Sequence, residues 1–232
     1  MVKWDINKVQ LASLIILVLG IILDGILIVF FFLSVISLIL ISMKRRDAIT
    51  VFLVSMIVGF LSEELGIHTG IPFGRYEYNF PPYILGVPIF VILGWGLFSF
   101  ISYLAIMDFP KRYKVAFFPL MMVIIDLSVD PIMVTAHFWT WAPSPLEWFG
   151  IPVTNFLGWY LVSLIISLTF PNRAYHDRPN PLFIIPYFLF SLKFLLFAEP
   201  QLFVPLLVAT SLAGLTSIVL YMAENRINAK SV

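Results

Sequence analysis

The chain has no cysteine. That excludes disulfides, thiolate nucleophiles, iron–sulfur ligation and cysteine-type zinc sites. Charge is also scarce: 12% of the 232 residues are Asp, Glu, Lys or Arg, against 61% hydrophobic. Histidine occurs only at His68, His137 and His176, too few for the histidine-rich centres of membrane oxygenases and desaturases. A formal net charge of +1 gives no reason to expect a nucleic-acid partner. No glycine-rich phosphate loop or other nucleotide-binding motif is present, so no cofactor is expected. MVKWDINKVQ runs into an apolar stretch without a small-residue cleavage site and reads as retained.

What the chain does have is apolar length. Mean hydropathy is +1.01, the composition of a polytopic membrane protein. Eight runs suit transmembrane helices: 9–23, 25–42, 49–65, 87–107, 115–134, 152–170, 182–198 and 202–223. The prediction is an all-α bundle forming one integral membrane domain over residues 1–232. Only Asp24-Gly25 separates the first two runs, as in a tight hairpin. Charge favours that hairpin. With eight spans, Lys3, Lys8, Lys44, Arg45, Arg46, Lys111, Arg112, Lys114, Arg173, Arg178, Arg226 and Lys230 share one side. Arg75 alone lies in a loop on the other, and Lys193 falls within a span. The bias predicts a cell-membrane protein with both termini in the cytoplasm.

Two segments repeat. GVPIFVILGWGL from Gly86 and GIPVTNFLGWYL from Gly150 share Gly, Pro, Leu, Gly, Trp and Leu at identical spacing, 64 residues apart. Each follows a run that carries acids and opens a returning helix, with Pro88 or Pro152 at its first turn, where a missing N–H costs nothing. Spans 3–4 and 5–6 therefore read as a duplicated helical hairpin with its pseudo-twofold axis along the membrane normal. The loops 66–86 and 135–151 are rich in Gly, Pro and aromatics. They suit an interfacial aromatic belt, a lid over the bundle, or both.

The acids inside or at the rims of these apolar runs are Glu63, Glu64, Asp126 and Asp130. A carboxyl group in hydrocarbon is expensive and marks a functional site by default. Glu63 continues the small-residue stripe Ser55–Gly59, which suits a helix-facing position; Glu64 continues Met56–Phe60 and suits the interface. Asp126 and Asp130 share one helix face. Asp126 is expected deep in the outer leaflet and Asp130, just before Pro131, nearer the surface. A buried acid without a neighbouring cation keeps its proton and can act as general acid; a wetter carboxylate can act as base. Around them, His68, Tyr76, His137, Trp139, Trp141, Asn155 and Trp159 are candidate substrate-side residues. Asn155 can orient a water or an acid, Arg75 can pair with an acid, and Lys193 can do the same or snorkel outward. No HxxxH or ExxH spacing supports a metal. YHDRPNP, residues 175–181, reads as a turn on the cytoplasmic side. The single DxxxD motif lacks the second motif and the basic cluster that a diphosphate-binding prenyltransferase needs.

EELGIHTGIPFGRYEY from Glu63, ILGVPIFVILGW from Ile84, DLSVDP from Asp126 and WFGIPVTNFLGW from Trp148 together resemble carotenoid-biosynthesis membrane proteins of the bisanhydrobacterioruberin-hydratase type. The likeness spans roughly residues 55–180. It implies addition of water to the terminal double bond of a long acyclic carotenoid drawn from the bilayer, with other pathway enzymes as conceivable neighbours. The resemblance assigns no catalytic residues; read from the residues themselves, Glu63 or Asp126 would deliver the proton and Asp130 would activate water. Tyr76, Trp139, Trp141 and Trp159 would stabilise a tertiary carbocation by cation–π attraction, roughly 2 kcal/mol or more when desolvated. A carotenoid cyclase would make the same cation. A proton-coupled transporter would need a polar path to the cytoplasmic side, where these spans offer little beyond Ser and Thr.

Overall fold

The computed structural model describes residues 6–23, 27–171 and 180–230. The Asp24-Gly25 turn, His176 and most of the 175–181 segment lie outside them. Among the described residues there are eight α-helices: α1 (Lys8–Ile22), α2 (Leu27–Ser42), α3 (Arg46–Thr69), α4 (Ile89–Ile106), α5 (Lys111–Thr135), α6 (Val153–Leu168), α7 (Ile185–Leu196) and α8 (Phe203–Lys230). All eight expected runs are helical. Only four, α3, α4, α5 and the 28-residue segment Pro200–Ile227 containing α8, are long and apolar enough to cross a bilayer by length and composition. The 16 residues of α6 extend about 24 Å, short of a hydrocarbon core of about 30 Å.

Local signals explain the boundaries. Asn7 opens α1 with a capping box: its side chain accepts from Gln10 N at 2.9 Å, and Gln10 Oε1 accepts from Asn7 N at 3.2 Å. α3 stops at Gly70, whose φ of +79° suits a residue without Cβ. α5 continues past Pro119 and Pro131. Asp130 is consequently a helical residue buried in the bundle, one turn closer than Asp126 to the end of α5. Outward-facing Ile28, Phe32, Leu196 and Phe197 are exposed, which a hydrocarbon solvent accommodates.

At one end of the bundle, here the aromatic end, the two long loops meet. β1 (Tyr76–Tyr78) pairs antiparallel with β4 (Trp139–Trp141), placing Glu77 opposite Thr140. β2 (Tyr83–Ile84) and β3 (Val87–Pro88) form a tight hairpin leading into α4. β5 (Glu147–Trp148) and β6 (Ile151–Pro152) do the same before α6. The hairpins match in detail. Leu85 and Phe149 take φ of 53° and 51°. Ile89 N donates to Pro82 O at 2.9 Å and Val153 N to Leu146 O at 3.0 Å. Pro88 and Pro152 precede their helices with nearly identical dihedrals.

The opposite, basic end carries a buried ionic cluster. Arg45, between α2 and α3, donates from Nη1 to Asp108 Oδ1 at 2.6 Å, and its Nε lies 3.7 Å from Asp47. Tyr103 donates to Asp47 Oδ2 at 2.6 Å. Buried Lys114 sits with Nζ 5.4 Å from the centre of the Tyr103 ring. Burial alone would lower the affinity of Arg45 for its proton, but Asp108, Asp47 and Tyr103 together outweigh it and hold the guanidinium above its ordinary range.

Candidate active site

Glu63 projects from α3 towards α4 and is 4% exposed. Its position follows from its stripe. Gly59, one turn earlier, leaves room for Trp95: a Cβ there would stand 2.3 Å from Trp95 Cγ. Trp95 Nε1 then donates to Glu63 Oε1 at 2.9 Å. From the loop, Tyr76 and Tyr78 both donate to Glu63 Oε2, Tyr78 at 2.8 Å. Gly66 does for Tyr76 what Gly59 does for Trp95; its missing Cβ would lie 2.6 Å from the Tyr76 hydroxyl. Burial, then the adjoining Glu63 carboxylate, push both phenols well above their ordinary range. Each therefore keeps its O–H and stays a donor.

Asp126 and Asp130 project from α5 towards α6, 0% and 3% exposed. The two hydrogens of the Asn155 amide are divided between them: Nδ2 donates to Asp126 Oδ2 at 2.8 Å and to Asp130 Oδ2 at 2.6 Å. Asp126 Oδ1 is buried without a hydrogen-bond partner among the described residues. The indole N–H of Trp139 approaches Asp130 without reaching full hydrogen-bond geometry. Glu63 is close enough to act electrostatically on both aspartates. Among the described residues no Lys, Arg or His forms an ion pair with any of the three.

The two acid groups are joined through rings. Trp95 and Trp159, 64 residues apart, stack with centroids 4.1 Å apart and planes 18° from parallel. Tyr76 and Trp141 lie 4.7 Å apart, and Tyr78 and Trp139 5.7 Å. A cavity of about 60 Å³ adjoins this layer, walled by Trp95, Trp139 and Trp159 and by phenylalanines of α2, α4 and α7. Val129 and Met133, three residues beyond Asp126 and Asp130 on α5, complete the wall.

Of the candidates read from sequence, Glu63, Asp126, Asp130, Asn155, Tyr76, Trp139, Trp141 and Trp159 fall in this one assembly. His68 and His137 do not. His68 is exposed and holds Glu64 Oε1 at 2.9 Å across one helical turn. His137 is exposed at a left-handed turn, φ 59°, at the end of α5. Helix spacing accounts for the first: position 68 follows 64, on the greasier face. No group of three His, Asp or Glu among the described residues has metal-site geometry. Arg75 is exposed and pairs with no acid among the described residues. Lys193 does not reach outward; it is buried with Nζ 4.1 Å from the Phe194 ring centre. Two site residues were missed, Trp95 and Tyr78. The signal for Trp95 was the repeat itself, which aligns it with Trp159.

Neither a curated protein nor a solved structure matches the chain significantly. A family description does, over residues 16–220, nearly the whole of the eight-helix bundle, including both acid-bearing helices and the long loops that follow them. By that match the chain belongs to the family of carotenoid biosynthesis proteins.

Proposed function

We propose that the chain is a cofactor-independent hydratase that adds water to the terminal double bond of a long acyclic carotenoid. The observation that carries this reading is the convergence of three buried carboxyls, with no ion-paired cation among the described residues, beside an aromatic-walled cavity. An acid transfers its proton to the less substituted alkene carbon, the π pair forms the new C–H bond, and a tertiary cation remains. Water adds to that cation, and its surplus proton passes to a carboxylate. The net change is one water per reacted end.

The hydrogen bonds favour a division of roles within this reading. Asp126 Oδ1 lacks a donor, so it is the oxygen suited to carry the proton that is delivered. Asp130 takes the proton from water, while Asn155 holds the two aspartates in register. Glu63, filled by three donors, supplies negative charge facing the cation and is the alternative acid. Trp95, Trp139 and Trp159 present π faces to the same charge. The reading also takes α3–α4 and α5–α6, whose loop hairpins match, as a duplicated helical hairpin spanning the bilayer, with the aromatic end outward and both termini in the cytoplasm.

Expression in a host that accumulates acyclic carotenoids tests this. The product should gain the mass of one water per reacted end; an isomer of unchanged mass would mean cyclisation instead. Asp126→Asn and Glu63→Gln should each lower conversion about 100-fold or more while the protein remains in the membrane. Undiminished hydration by both variants would refute the assignment.

A further inference from the structure

The cavity has a chemistry of its own. Nine of its thirteen wall residues are aromatic and the other four are Val91, Gly94, Val129 and Met133, so no wall residue is charged. Its volume of about 60 Å³ is under half of the about 150 Å³ that takes up one benzene, too little for an isoprenoid end unit unless side chains move. The part of the wall able to move is identifiable. α3 to α6 are fixed against one another by the shared acid site and by β1–β4. α2 and α7 have no comparable fastening to each other. They meet through side chains rather than along their backbones, with the Phe30 and Phe190 rings 5.9 Å apart and tilted by 40°. Phe31 and Phe194 extend the same seam along the cavity. α2 is instead clasped to α1: the Ser13 hydroxyl donates to Ser37 O at 2.8 Å and the Ser37 hydroxyl to Ser13 O at 2.9 Å. The α1–α2 pair is thus a unit that packs on α7 along α1, while α2 itself meets α7 by the contact of these rings.

We propose that this cavity is the seat of a conjugated hydrocarbon end group, and that the Phe30–Phe190 contact is the gate a polyene parts to reach it from the bilayer. This rests on the hydratase reading for the identity of the polyene. The occupant follows from the wall: aromatic faces on nearly every side, with no charged residue in the lining, suit a conjugated chain better than a saturated or polar one. The cavity's inner wall also touches the chemistry, because Trp95 both lines it and donates to Glu63. An end group held there lies against the ring layer that covers the acids.

The absence of native cysteine makes the test clean. Phe30→Cys and Phe190→Cys are combined in the full chain, reconstituted in lipid nanodiscs and joined by a short, reducible bis-thiol reagent. Lycopene supplied from the lipid is the probe. Its binding is read as quenching of tryptophan fluorescence and its conversion as product mass. Cross-linking is expected to slow quenching and conversion about tenfold or more, and reductant to restore both. Equal quenching before and after cross-linking would overturn the gate while leaving hydration standing. Gate-dependent quenching by a protein that yields no hydrated product would do the reverse. Single Phe190→Ala protects against a double variant that does not fold: it should speed quenching, and an unchanged or slower rate counts against the gate.

Discussion

Trp95 can only donate, and its one N–H goes to Glu63. Replacing it with Phe leaves a buried carboxylate oxygen with no donor, a loss of about 1–3 kcal/mol, and removes one half of the stack with Trp159. Tyr78→Phe removes one of two donors on the other oxygen and should be milder. The expected order in both thermal midpoint in detergent and carotenoid conversion is wild type, then Tyr78→Phe, then Trp95→Phe. The reverse order would mean that the indole is a packing residue alone. At Asn155 the geometry makes a different demand. Asn155→Leu leaves two neighbouring buried aspartates without a shared donor, so conversion should fall about as far as for Asp126→Asn, and carotenoid mass profiles compare the two directly. Sequence could place Asn155 near the acids, but it could not say that one amide serves both. That depends on α5 and α6 packing with residues 25 and 29 apart in register.

Among elements, α3 was the most legible. The spacing of Ser55, Gly59 and Glu63 put them on one face, and that face is buried against α4; Glu64, one position on, reaches the surface and His68. The glycine makes this face testable without touching any titratable group. Gly59→Ala sets a methyl 2.3 Å from Trp95 Cγ, and a rigid indole packed against Trp159 has little freedom to yield. Displacement costs about 1–3 kcal/mol and moves the N–H away from Glu63. Gly59→Ala should therefore reduce conversion in protein that still inserts. Gly150→Ala, where nothing lies within 4 Å but φ is +81°, should lower the thermal midpoint only modestly, through backbone strain of roughly 1–2 kcal/mol. Conversion assays and melting curves on the two variants separate contact from conformation. The strands escaped sequence reading because they are two or three residues long, too short for alternation to register, and because Leu85 and Phe149 take left-handed turns that side chains rarely signal.

At the scale of the molecule the bundle has two unlike ends. At the aromatic end the three acids have no ion-paired cation among the described residues, and the basic end gathers both signs. The positive-inside pattern counted Arg45 and Lys114 only as cations on one side of the membrane. In the folded chain both are buried, together with Asp47 and Asp108, because the α2–α3 and α4–α5 turns close over one another. Composition cannot report which flanking charges meet, so this cluster was invisible until the helices were arranged. Its role is separable from chemistry at the other end. Arg45→Ala removes the guanidinium that donates to the buried Asp108 carboxylate at 2.6 Å, a loss of about 3–5 kcal/mol. Arg45→Ala combined with Asp108→Ala removes both charges and should recover much of that loss. The thermal midpoint of purified protein should therefore fall most for the single variant and less for the double, while conversion per folded molecule stays near wild type in both. Equal melting for the two would mean that the pair contributes packing and no charge compensation. A loss of conversion in the still-folded double variant would mean that the ends of the bundle are coupled, and would return the basic cluster to consideration as part of the working site.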